Sequence, residues 1–261
     1  MTTRLSEDLE QRIYETFSLT PKTVSDYNYA STADSWLHFT ERKRFLEYYG
    51  NLINAPSLDM AATFWANRYS RFLAYVHWAF AKGVEVDPAL EALQVFLTIE
   101  SGTSKPAFVF GVPSIKLGGY EGKERQLRLQ EFYYSHVSLL VQGFAADAGV
   151  RTKEVWGQVY HALPYFLDVA GAAEPAHIQE RLRKDWDYLS QHSEANTFRE
   201  KRHPFHFKMV SIPNPAGEKP IYTKPTCCLA YKGSGSYCYR CPRLKPETRT
   251  EYYEKLKKKN C

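Results

Sequence analysis

Residues 57 to 83 read SLDMAATFWANRYSRFLAYVHWAFAKG. Ser57 is of the type that caps a helix start and Gly83 of the type that ends one. The spacing predicts a long helix from Ser57 to about Phe80. Trp65, Arg68, Phe72, Val76 and Ala79 share a stripe, and the opposite face is apolar too. A helix that is apolar all round is a buried one, so this helix is expected at the centre of a helical body. Arg68, Arg71 and His77 interrupt it, and no run in the chain approaches the ~20 apolar residues that span a bilayer. The two arginines are expected to pair, or to carry their heads outward on apolar stems.

Working towards the N-terminus, Trp36 to Leu52 reads as a second helix, stopped at Pro56. Leu9, Ile13 and Phe17 repeat at i+4 and predict a short first helix, ended by Pro21. In the other direction the period changes. Leu93 to Glu100 alternates, with Val95, Leu97 and Ile99 on one face, and Ala107 to Val112 resumes an extended pattern after a turn at 102–106, so a β-hairpin is expected. The following glycines, Gly111, Gly118, Gly119 and Gly122, fit neither a dinucleotide fingerprint nor a P-loop.

Lys123 to Asp147 predicts a helix, with Leu129, Phe132, Tyr133, His136, Leu140 and Phe144 on one face. Thr152 is expected to cap the next, to about Val169, with a kink at Pro164. Glu174 to Leu189 predicts another, with Pro175 in its first turn. Phe205 to Ile212 and Lys219 to Lys224 flank a Pro-Asn-Pro-Ala-Gly turn, a second hairpin. Glu247 to Lys259 predicts a charged terminal helix. The expected fold class is α+β, predominantly helical, with small antiparallel β-hairpins and a C-terminal cysteine-rich segment. Residues 1–200 form the helical body and 201–261 the hairpin and cysteine segment, in one compact unit.

Composition narrows the class. The 261 residues are long enough for a real core. Aromatics make up 15% of the chain, which reads as packing mass. A net charge of +5 is too mild to indicate nucleic-acid binding. Met1 to Gln11 lacks the apolar core of a signal peptide, so the cytoplasm is the expected location. The tail Lys255 to Lys259 could make peripheral contact with anionic lipid at most.

Four of the five cysteines, Cys227, Cys228, Cys238 and Cys241, lie within 15 positions. In a reducing compartment such a concentration reads as metal-binding. Cys238-x-x-Cys241 suits structural zinc or an iron–sulfur cluster. Adjacent Cys227 and Cys228 favour the larger cluster, because neighbouring side chains in extended chain point apart and a single ion would need a local kink. The glycines of Lys232-Gly-Ser-Gly-Ser236 are expected to let amide N–H groups approach sulfur. On spacing alone both metals stay open. His203 and His206 are weaker ligand candidates, and His136 and His161 read as packing or hydrogen-bonded residues.

The Cys-Cys pair followed by Cys-x-x-Cys near the C-terminus resembles the FhuF-like ferric siderophore reductases. The early helix Phe64-Trp-Ala-Asn-Arg-Tyr-Ser-Arg-Phe72 and the hairpin feeding the cysteines are similar as well. One departure stands out: nine residues separate Cys228 from Cys238, where the family pattern has ten. Cys261 has no counterpart in the motif. The resemblance implies a [2Fe–2S] cluster on Cys227, Cys228, Cys238 and Cys241, and one-electron reduction of a ferric siderophore, of hydroxamate type, to release Fe(II). It also implies an external electron donor, a ferredoxin or flavoprotein, because the chain has no nucleotide fingerprint of its own. Lys232, Arg240 and Arg243, with Lys245, are candidate docking residues for donor or substrate. The alternative is a structural four-cysteine zinc module serving protein or nucleic-acid binding.

Overall fold

The computed structural model describes residues 7–99, 106–112, 116–117 and 122–259. Gly118, Gly119, Cys261 and most of the predicted 102–106 turn lie outside them. The long helix expected from residues 57 to 83 is α3, Leu58–Lys82, and Gly83 closes it in the left-handed region at φ 80°. It is buried on every side along most of its length. Its own carbonyls satisfy some of its buried hydroxyls: Ser70 Oγ donates to Ala66 O at 2.8 Å.

The other helices wrap α3: α1 (Glu7–Phe17), α2 (Phe39–Leu52), α4 (Gly122–Phe132), α5 (Ser138–Asp147), α6 (Thr152–Ala172) and α7 (Ala176–Asp187). The longest helix–helix contact is between α3 and α6. Aromatic rings fill the interior. Trp65 lies 4.0 Å from Phe144 between ring centroids, Trp36 lies 4.6 Å from Phe45, and Trp36, Trp65 and Trp156 are fully buried. The heavy aromatic content is thus packing mass.

Buried carboxylates pin the helices together. Asp147 of α5 takes Arg42 of α2, and Asp185 of α7 takes Arg125 of α4. Glu174, between α6 and α7, accepts from Arg12 of α1 and from Trp78 and Lys82 of α3. Arg71 donates to Ser18 Oγ at 2.6 Å and lies over the Phe166 ring, while Arg68 is exposed and bonds Tyr49. Both arginines therefore carry their charge out of the core.

The hairpin of β4 (Gln94–Ile99) and β5 (Pro106–Gly111) pairs Val95 with Phe110 and Leu97 with Phe108. Val95 and Leu97 are buried, but Ile99 is exposed at the strand end. Two unanticipated strands complete a four-stranded sheet: β1 (Leu19–Thr20), parallel to β5, and β2 (Tyr29–Thr32), antiparallel to β4. A separate bridge joins β3 (Val84–Glu85) to β6 (Lys116–Leu117).

Several boundaries differ from expectation. The predicted 36–52 helix splits: Asp34–Leu37 is a 3-10 turn, His38 is extended, and α2 starts at Phe39. The predicted 123–147 helix contains a π-turn at Tyr133–Val137, with Ser138 Oγ on Tyr133 O at 2.6 Å. An inserted residue of this kind rotates the face that follows. Thr152 is the first helical residue of α6 instead of its cap, and α6 runs on through Pro164. Pro175 precedes α7 as its cap residue. The second hairpin shrinks to β7 (Ser211–Ile212) and β8 (Ile221–Tyr222), because Phe205 and Phe207 are drawn onto Tyr160 of the main core. The chain ends in a short helical turn α8 (Tyr231–Ser234) and in α9 (Pro246–Lys259). No helix among the described residues is long and apolar enough to cross a membrane.

Candidate metal centre

The cysteine segment has a small core of its own. Met60 of α3, Cys227, Leu229, Cys241 and Leu244 form an apolar cluster separate from the aromatic interior, with Phe64, Val150, Tyr231 and Tyr237 packed on it. Polar contacts lock the segment to the helices beneath. Thr63 Oγ1 of α3 lies 2.8 Å from the carbonyl oxygens of both Met60 and Cys228. Thr226 Oγ1 donates to Glu154 O at 3.1 Å and accepts from Gln158 Nε2 at 2.9 Å, both on α6. On the far side, Arg249 of α9 donates to the carbonyls of Tyr239, Cys241 and Leu244.

Gly157 permits this docking. A Cβ at that position would overlap the Thr226 side chain. Gly157→Ala is expected to push the cysteine segment off α6, at a cost of about 1–3 kcal/mol, and to loosen any bound metal. Limited proteolysis checks it, with new cleavage expected within 223–246 while the helical body resists. Unchanged cleavage would mean that the segment is not held there.

All four predicted cysteines line one cavity of about 190 Å³, together with Ala230, Tyr231, Ser234, Ser236 and Tyr237. Cys227 and Cys241 are buried, Cys228 is half-buried and Cys238 is exposed. The Cys241 thiol donates to Cys227 Sγ at 3.5 Å. Leu229, directly after the adjacent pair, takes a left-handed φ of 62°. That turns the chain directly after the pair, towards α8. Among the described residues, no three His, Cys, Asp or Glu side chains group as ligands of one ion. Cys241 touches both Cys227 and Cys238, whereas Cys228 faces Lys224.

The local backbone favours thiolate. The amide N–H groups of Leu229, Arg240 and Arg243 donate to the sulfurs of Cys227, Cys238 and Cys241, each two residues back. These are not the donors expected from the Gly-Ser tract, which instead folds into α8 and closes on Gly235 at φ 74°. The Cys241 S–H donates to Cys227 and Cys238 and holds both thiols below their ordinary pKa, whereas Cys241 itself, as the donor, is pushed up. Two lowered thiols with N–H donors in place suit a thiophilic metal or cluster.

The candidate docking residues diverge. Lys232 is tied to Asp59 at the start of α3. Arg240 donates to Tyr222 O at 2.8 Å, Arg243 is exposed, and so is Lys245. Lys224, not singled out from the sequence, places its ammonium 3.9 Å from Cys228 Sγ. His161 on α6 is held near 4 by burial and by the charges of Lys224 and Arg240. His203 accepts from Phe205 N and packs on Phe198, so it does not line the cysteine cavity, and neither does His206 stacked upon it. His136 is hydrogen-bonded to Tyr69 and Pro88 O, as a core histidine.

No family model, curated protein or solved structure matches this chain.

Proposed function

We propose that Cys227, Cys228, Cys238 and Cys241 hold a [2Fe–2S] cluster, and that the protein is a cytoplasmic ferric siderophore reductase. The observation that carries this reading is that all four cysteines line one surface cavity, with backbone N–H groups donating to three of their sulfurs. Donors of this kind tune the potential of an iron–sulfur cluster. The resemblance to the FhuF-like reductases, carried by these same cysteines, gives the activity.

When bound, such a cluster supplies single electrons at low potential. The chain contributes the rest. The N–H groups of Leu229, Arg240 and Arg243 stabilise charge on sulfur, Lys224 faces Cys228, and Met60, Leu229 and Leu244 keep water from the buried side. Exposure of Cys238 brings the centre to the surface, where a chelate can approach. One electron converts Fe(III) to Fe(II), which hydroxamate oxygens hold more weakly, so the iron is released. No side chain is needed as an acid or base.

Anaerobic purification followed by an absorption spectrum and metal analysis tests the reading. Visible bands that bleach with dithionite, and about two irons per chain, are expected. A colourless protein with one zinc would replace it with the structural zinc module.

A further inference from the structure

We propose that the basic face around the cysteine segment is the docking surface of a small acidic one-electron carrier protein. The inference rests on the cluster reading above. Between residues 219 and 246 the chain has six Lys or Arg and no Asp or Glu. Between 199 and 249 it has eleven against three, although the whole protein carries only +5. The remainder is therefore slightly acidic, and the positive charge is concentrated where the cysteines are.

The structure gathers this charge into one body. Tyr239 Oη donates to Pro213 O, Arg240 Nε donates to Tyr222 O, and Lys224 N donates to Arg240 O, so the β7–β8 hairpin and the cysteine segment move together. Lys208, Lys219, Arg243 and Lys245 are exposed on it, and Lys224 lies beside Cys228. Asp59, which faces the segment from α3, is already paired with Lys232, and Glu154 of α6 is paired with Arg151.

Size selects the occupant. The cavity at the cysteines, about 190 Å³, is walled by the cysteines themselves. Pockets that enclose a small-molecule ligand measure roughly 300–1,000 Å³. Cavities of that size occur elsewhere, about 450 Å³ beside His136 and about 420 Å³ beside Trp186, and none of the four cysteines lines either. A broad charged face next to an exposed cysteine suits a protein, and weak electron-transfer encounters are small and steered by charge. The carrier would be oxidised by one electron and the cluster reduced by one, with no bond made and no proton moved.

The probe is a plant-type [2Fe–2S] ferredoxin, a small acidic carrier, titrated into the purified protein by calorimetry. Binding at 20 mM NaCl is expected to weaken at least tenfold at 300 mM. The triple variant K208E/K219E/K245E is expected to lose at least tenfold in affinity at 20 mM. Stopped-flow reduction by ferredoxin is expected to slow in parallel, while reduction by dithionite stays within twofold. Binding that ignores both salt and charge reversal overturns the docking surface but leaves the cluster intact. A variant that still binds ferredoxin but no longer turns over ferric citrate also overturns it, and reassigns the face to an anionic chelate. Absence of iron in the wild-type protein is a different failure, that of the cluster reading itself.

Discussion

Cys241→Ser is expected to strip the iron from the protein, erase its visible absorption and lower ferric reduction at least ~100-fold. Loss of a partner that merely orients a ligand already costs 10–100-fold in metal affinity, and removal of a ligand should cost no less. The substitution is informative because it barely alters shape. Cys241 is buried in the small apolar cluster with Met60, Leu229 and Leu244, and serine leaves nearly the same volume. The helical core around α3 and α6 makes no use of this sulfur. Its thermal midpoint, followed by far-ultraviolet circular dichroism, should therefore fall by only a few degrees. Retention of two irons and full activity would sink the assignment of Cys241. Cys228→Ser sharpens the choice of metal, because Cys228 faces Lys224 instead of the Cys227–Cys241 pair. A protein that keeps one tightly held zinc in that variant would be mononuclear.

The gathering of the cysteines around one cavity was readable from the sequence because its signal is local. Four cysteines in 15 positions announce themselves without any knowledge of the fold. The central helix was equally legible, since Ser57 and Gly83 bracket a run that is apolar on every face. What escaped notice depends on contacts distant in sequence. β1 and β2 contribute two and four residues to the sheet, too few for a period to show. Gly157 looks like any helical glycine until Thr226 is seen against it, 69 positions later in the chain. Lys224 could have been found as the lysine four residues ahead of Cys228, but only the chain reversal into the cavity turns that spacing into proximity. The second hairpin was over-extended for a related reason: the aromatic run at Phe205 to Phe207 looks like a strand, and tertiary packing on Tyr160 won over local propensity.

Acidification between pH 7 and pH 5 is expected to destabilise the helical body, with two buried rings, His77 and His136, contributing on the order of 4 kcal/mol. His77 and His136 are both buried in the core around α3, and burial holds their rings near 3 and near 4. The Pro88 carbonyl opposes this for His136, since accepting from Nδ1–H favours the protonated ring, but burial dominates. In the neutral ring Nε2 accepts from the Tyr69 hydroxyl, 2.6 Å away. His77 Nε2 lies 3.1 Å from Tyr133 Oη. In the unfolded chain both rings titrate near 6.5. Below that pH the unfolded state takes up a proton per ring and the folded state does not, so stability is lost as pH falls. Each ring contributes about 1.4 kcal/mol per pH unit, and the loss levels off only once the folded-state values are reached. Asp185 works in the opposite sense, since burial raises its carboxyl. Urea midpoints at pH 7, 6 and 5 measure the slope, to which His161, also held near 4, adds in the same sense; His77→Gln should remove one ring's share of it. A midpoint that stays constant from pH 7 to pH 5 would mean that these rings are protonated in the folded protein, with His136 Nε2–H donating to the Tyr69 hydroxyl.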